Sequence, residues 1–263
     1  MEYKNNLILV EKKENYVGIV TLNSPPLNLN TIESMEELRE AFRIIEKDSD
    51  IRVVILKGAG LKAFNVGSDI SGFKDMVGDF RGKKFYMETD MMNTIEFLPK
   101  PTICAIEGYC MGGGLEVSLC CDIRIGSEES VFAFPEINLG VYPASGGIFR
   151  LPKVIGLPKA YELMYIGDSI NADEAYRLGL LNKIVPKGNT LEAAMIMAEK
   201  IAKKAPNALK VIKKGARDMW LKSSKDNYYT NLDYIDQIFD NYNGVEGVNA
   251  FLEKRQPKFK FED

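Results

Sequence analysis

Two glutamates have neighbours suited to chemistry. Glu116 follows Gly112-Gly113-Gly114 and sits in the apolar run Leu115–Cys121. Glu136 follows Phe132-Ala133-Phe134 and a proline. Consecutive glycines let a ligand come close to the backbone. A helix starting behind them offers unpaired N–H groups at its positive end. Glu116 lies three residues past Gly113, on the same side of the first turn. A carboxyl among Leu115, Val117, Leu119 and Cys120 is costly to bury unless it is used or paired. The competing reading is a packing site in which Glu116 complements the helix dipole, and Glu136 alone reads as a loop glutamate. The chain has no histidine. That excludes Ser-His and Cys-His nucleophile pairs, His metal ligands and His proton shuttles. Acid–base chemistry must then fall to Glu, Asp, Lys, Tyr or Cys.

Two further glycine segments invite a ligand. Gly67-Ser68-Asp69 can turn the Ser68 N–H outward, although Asp69 as the cap of a short helix explains it as well. Gly58-Ala59-Gly60-Leu61-Lys62-Ala63 matches G-x-G-x-x-A in spacing. That fingerprint must open a helix, and Asn65-Val66-Gly67 does not, so a plain glycine turn is expected rather than a nicotinamide or flavin site. Cys104, Cys110, Cys120 and Cys121 form no C-x-x-C pair. They read as buried small hydrophobes in a reducing compartment, and no metal site is expected.

The elements that must hold these residues are legible in outline. The chain has 263 residues, 34 basic and 37 acidic side chains, 46% hydrophobic and 27% charged residues. That is a soluble globular composition with room for one large core, or a core and a smaller domain. The acidic balance argues against a nucleic-acid-binding face. The amino terminus lacks a signal-peptide pattern, and Glu107 and Glu116 interrupt the longest apolar stretch, so a cytoplasmic, non-membrane protein is expected. Strands are expected over Leu7–Val10, Tyr16–Leu22, Val53–Leu56, Thr102–Ile106, Ile123–Ile125 and Val131–Phe134. Met35, Leu38, Phe42 and Ile45 form a helical stripe, with Asn30 as the expected N-cap and Glu33 in capping-box position. Helices are expected over Leu191–Lys204, Ala208–Lys222, Asn231–Asn241 and Val245–Arg255. The order of elements describes an α/β domain, residues 1–204, followed by a helical region, 205–263.

With these segments in hand, the chain resembles the crotonase superfamily, the enoyl-CoA hydratase/isomerase family, over nearly its whole length. Seven segments in order carry the resemblance: Pro26-Leu27-Asn28, Ala63–Ile70, Pro99–Thr102, Gly108–Glu116, Pro135–Gly140, Ala172–Asn182 and Phe251–Pro257. It implies a spiral of β-β-α turns with a C-terminal helical domain that covers the site and joins subunits into trimers or dimers of trimers.

The resemblance further implies an acyl-CoA thioester substrate whose carbonyl is polarised by the backbone N–H groups of Ser68 and Gly113. Glu116 and Glu136 would hold a water between them. With both glutamates retained, hydration of a 2-enoyl-CoA is implied, Glu116 orienting the water and Glu136 handling the α-carbon proton. Coenzyme A arrives with the substrate, so no separate cofactor is implied. Pro26, Leu27, Lys62, Ala63, Val66, Asp69 and Ile70 match positions that hold CoA. Lys254 and Arg255 match a basic pair that approaches its phosphates, and a cation-decorated helix end is the other reading of that pair. Where the family commonly has Gly-Ala-Gly-Gly-Thr-Gln-Arg, this chain has Ala144-Ser145-Gly146-Gly147-Ile148-Phe149-Arg150. That departure lies near the acyl end and leaves the acyl group's shape open. Phe132, Phe134, Tyr142 and Phe251 are candidates for the acyl pocket or for core. Other CoA-thioester reactions, such as isomerisation, cyclic dienoyl hydration or ring hydrolysis, and a non-catalytic acyl-CoA-binding scaffold are the competing functions.

Overall fold

The computed structural model describes residues 6–219, 235, 238 and 241–261. The expected helix at 231–241, and the end of the one at 208–222, lie outside these residues.

β1 (Ile8–Lys12) and β2 (Val17–Leu22) form an antiparallel hairpin. β3 (Val53–Gly58), β5 (Thr102–Ile106), β7 (Ile123–Ser127) and β10 (Lys183–Val185) then add in parallel, giving a six-stranded sheet in the order β1-β2-β3-β5-β7-β10. Each of three of these strands is followed by a short one that leaves for a second sheet. These are β4 (Ala63–Asn65), β6 (Tyr109–Met111) and β8 (Val131–Ala133), which pair in parallel, with β9 (Ile170–Asn171), which runs straight into α6 (Ala172–Arg177), antiparallel at the edge. Two strands and a return path repeat three times, so the chain climbs as a spiral, as the resemblance implied.

The large sheet is covered on both faces, which explains why its strands read as continuous apolar runs. Val54, Leu56, Cys104 and Ile106 pack towards α1 (Ile32–Lys47) and α2 (Tyr86–Glu96). Val53, Ile55, Ile103 and Ala105 pack towards α7 (Thr190–Ala202), whose Ala193, Ala194, Ala198 and Ala202 let it lie close to the sheet. Met35, Leu38, Phe42 and Ile45 form the buried stripe of α1. Its cap differs from expectation. Thr31, not Asn30, is the N-cap, and Ser34 closes the capping box. Asn30 is unavailable because its side chain and backbone are bonded to Asn65, Gly67 and Asp69.

Gly58–Ala63 runs into β4, not a helix, so it is a turn. All four cysteines are free and buried. The helical region includes α8 (Pro206–Met219) and a helix at Tyr242–Leu252, the latter capped by Asn241. α8 docks on the spiral, where Lys213 pairs with Asp122 at 3.0 Å and Arg217 donates to the Glu96 carbonyl at 3.3 Å.

Candidate active site

The site is built on two turns that abut. One precedes α3 (Gly113–Leu119); the other carries Gly67 and Ser68 after β4. A Cβ on Gly67 would lie 3.0 Å from the Gly113 nitrogen. Gly112 has φ 52° and ψ −129°, a conformation side-chain-bearing residues rarely adopt. A Cβ on Gly114 would lie 2.1 Å from the Asn65 carbonyl oxygen, so only glycine fits there. Glycine is therefore needed at both positions, by backbone twist at one and close approach at the other.

The Ser68 turn is fixed from behind. Asn30 N–H donates to the Gly67 carbonyl at 2.9 Å, and Asp69 N–H donates to the Asn30 carbonyl at 3.1 Å. That pattern is a parallel bridge between Asn30 and Ser68, and it directs the Ser68 N–H away from Asn30. Asn65 ties the assembly together. Its Nδ2 donates to Asn30 Oδ1, and its Oδ1 accepts from the Gly67 N–H, both at 2.7 Å. Gly113 is the first residue of α3, so its N–H has no intrahelical acceptor.

Both glutamates reach this place. Glu116, in the first turn of α3, is 3% exposed, and its Oε1 accepts from the Gly147 N–H at 2.8 Å. Gly147 opens α4 (Gly147–Ile155). Glu136 lies on the 3-10 turn Pro135–Leu139, with its Oε1 3.2 Å from where a Gly112 Cβ would stand. Its Oε2 is buried without a hydrogen-bond partner. Burial pushes the Glu116 carboxyl up to about 8; the Gly147 N–H opposes the shift, and Glu88 and Glu136 add to it. Burial likewise pushes Glu136 up to about 7, with Glu88 adding to the shift.

One functional neighbour escaped the sequence reading. Glu88, on α2, is 1% exposed, and its Oε2 accepts from Lys84 Nζ and from Ser145 Oγ. The i,i+4 spacing of Lys84 and Glu88 is that of an ordinary surface pair. The apolar Met91, Met92 and Ile95 further along the helix were the available sign that this face turns inward.

The proposed CoA positions fall into two groups. Val66 N–H donates to the Leu27 carbonyl at 3.2 Å, and Asn28 Nδ2 donates to the Ala59 and Ala63 carbonyls at 3.0 and 2.9 Å. These bonds bring Pro26, Leu27, Lys62, Ala63 and Val66 to one edge beside the Ser68 turn. Asp69 caps the next turn through Ser71 N–H, hydrogen bonds from the Ser71 hydroxyl and N–H lower its carboxyl pKa, and Ile70 is exposed. Lys254 and Arg255 stand apart. Arg255 grips Glu246 at 2.6 Å and pulls that carboxyl down to about 2. Among the described residues no contact joins this pair to the others. Of the aromatic candidates, Phe132 and Phe134 are core, Phe134 lying directly under Gly147, whereas Tyr142 and Phe251 are exposed.

Backbone N–H groups beside a buried and a half-buried carboxyl, both raised towards neutrality, form an arrangement that can move protons at a polarised carbonyl. The chain matches the sequence model of the enoyl-CoA hydratase/isomerase family over residues 12–262. It is 36% identical to the short-chain-enoyl-CoA hydratase of Clostridium acetobutylicum, covering 96% of each chain. It is 33% identical to the crotonyl-CoA hydratase of Syntrophomonas wolfei, covering 98% of this chain and 99% of that one. The crystal structure of an enoyl-CoA hydratase from Bacillus anthracis superposes with a TM-score of 0.94 at 34% identity, over 98% of this chain and all of that one. The protein belongs to the enoyl-CoA hydratase/isomerase family.

Proposed function

We propose that this protein is an enoyl-CoA hydratase, a hydro-lyase that adds water reversibly, with syn geometry, to a 2-enoyl-CoA thioester. The observation that carries this reading is the meeting of Glu116 and Glu136 at the Gly112–Gly113 turn, with their carboxyls raised to about 8 and about 7. Near neutral pH such a pair holds about one proton between them, so it offers a base and an acid together. The hydratase names of the relatives support the same reaction.

In this reading the Ser68 and Gly113 N–H groups receive the thioester oxygen as it gains negative charge. One such donor lowers a barrier by roughly 2.7–4 kcal/mol. The Gly147 N–H holds one oxygen of Glu116; with the shared proton on Glu136, the less populated of the two singly protonated forms, the Glu116 carboxylate orients the water and takes its proton as the water oxygen bonds to the β-carbon. Glu136 delivers a proton to the α-carbon of the enolate. Pro26, Leu27, Lys62, Ala63, Val66, Asp69 and Ile70 line the CoA edge. Lys254 and Arg255 serve CoA phosphates from a neighbouring subunit. Coenzyme A enters as part of the substrate, and no further cofactor takes part.

The cytoplasm suits four buried free thiols. Residues 205–263 act as a helical region docked on a 1–204 core and shared with neighbours. The subunits form a homotrimer or a dimer of trimers.

The test replaces each carboxyl by its amide. Glu116→Gln and Glu136→Gln should each slow hydration of crotonyl-CoA by about 100-fold or more, followed as loss of the enoyl-thioester absorbance. A folded variant working near the wild-type rate would overturn the assignment.

A further inference from the structure

Glu88 joins parts of the site that lie far apart in sequence. Its Oε2 accepts from Ser145 Oγ at 2.5 Å and from Lys84 Nζ. Ser145 stands two residues before Gly147, whose N–H holds Glu116. The same turn is held a second time by Arg150, whose Nη1 donates to the Ser145 carbonyl at 2.9 Å while its Nε and Nη2 bond Glu96 of α2. The other oxygen, Glu88 Oε1, is buried with no hydrogen-bond partner and turns towards Gly113, lying 3.5 Å from where a Cβ would stand. Asn30 Nδ2, also without a partner, lies 3.1 Å from that point. Glu88 thus sits between the turn that holds Glu116 and the Asn30–Asn65 network that holds Ser68.

A buried ion pair adds little stability over well-packed apolar side chains of the same volume. Lys84 is 5% exposed and Glu88 1% exposed, so stability alone does not account for the pair.

We propose that Glu88 is a positioning residue for the reaction, fixing the Ser145–Gly147 turn against Glu116 and, with Lys84, setting the charge that Glu116 and Glu136 feel. This rests on the reading of those two glutamates as the acid–base pair. Among the described residues, the charged and titratable groups facing them are Glu88 and Lys84 from the α2 side, each other, and Cys120 at the C-cap of α3. Arg150 of α4 stands beyond, paired to Glu96. The Glu88 charge favours protons on Glu116 and Glu136, and the Lys84 charge opposes it.

The experiment measures kcat against pH with crotonyl-CoA on the full chain. Glu88→Gln keeps the shape and removes the negative charge, so the profile should move to lower pH by about half a unit or more. Lys84→Met should move it to higher pH, and the double variant should return it towards the wild-type position. Ser145→Ala should lower kcat about fivefold or more, with KM and the profile unmoved. A Glu88→Gln profile superposing on the wild type, whatever its rate, would overturn the electrostatic role. An unchanged kcat in Ser145→Ala would overturn the positioning role, and that variant is mild enough to fold if the charge variants do not. Wild-type rates in Glu116→Gln or Glu136→Gln would instead sink the hydratase reading itself, so the two failures are distinguishable.

Discussion

At the residue scale the reaction depends on a shared proton. The working form of the Glu116–Glu136 pair carries one proton, and it is most populated between the pair's apparent pKa values of about 7 and about 8. The rate should therefore be bell-shaped in pH with both limbs near neutrality. Since the chain has no histidine, either limb should move or vanish in the glutamine variants. Stability follows with a definite sign. Glu116 folded titrates near 8, above its ordinary value of 4.5, so between those values the folded state binds more protons than the unfolded one. Its contribution to stability is full below about 4.5 and is lost as pH rises through 8. Glu116→Gln lacks this penalty, so its melting temperature should gain on the wild type from pH 5 to about pH 8 and level off above it. A constant difference would show that Glu116 is not a buried carboxyl of raised pKa. Glu116 was legible because glycines and apolar neighbours flank it in sequence. Glu88 was not, since its partners Ser145 and Gly113 are brought to it only by the fold.

At the element scale, alternation and capping explain most of what could be read, and long-range bonds explain what could not. The β3 run Val53–Leu56 was recognisable because both of its faces are covered. The α1 cap was misplaced by one residue because local preference cannot foresee that Asn65 and Gly67 claim Asn30. The other end of α1 has a similar long-range partner. Lys100, 3% exposed, donates from Nζ to the Ile45 carbonyl at 2.5 Å and to the Asp48 carbonyl at 2.7 Å, adding a second donor to carbonyls that also accept from the Asp48 and Ile51 N–H groups. Burial pulls this amine down to about 8. Lys100→Met keeps the stem and removes both bonds, so it should cost about 2–3 kcal/mol in urea unfolding at pH 7. The folded Lys100 releases its proton near 8 and the unfolded one near 10.5, so the wild-type advantage should grow across that interval. A loss below half a kcal/mol at pH 7 would show that the Lys100 bonds do not secure α1.

At the scale of the whole molecule, the stretch that supplies Glu136 and Gly147 also leaves apolar surface uncovered. Leu139 is 60% exposed, Tyr142 59%, Phe149 50% and, on α5 (Leu157–Ile166), Tyr165 68%. α5 closes back on the Glu136 turn, since a Cβ on Gly167, just past its end, would lie 2.9 Å from Ile137. That approach brings the end of α5 beside the turn that carries Glu136. Exposed apolar residues of this kind call for a covering partner, and a closed ring of identical subunits is the economical one. The proposed trimer or dimer of trimers would cover it and brace the turns that carry Glu136 and Gly147. Light scattering should then report three or six chains per particle, and Tyr165→Asp combined with Ile166→Asp should shift the protein towards monomers. Because those residues touch neither carboxyl, the monomers should keep a native melting profile at low concentration while losing most of kcat. A wild-type chain that scatters as a monomer at working concentration would sink the proposal, and monomers of full activity would show that the site needs no neighbour to hold it.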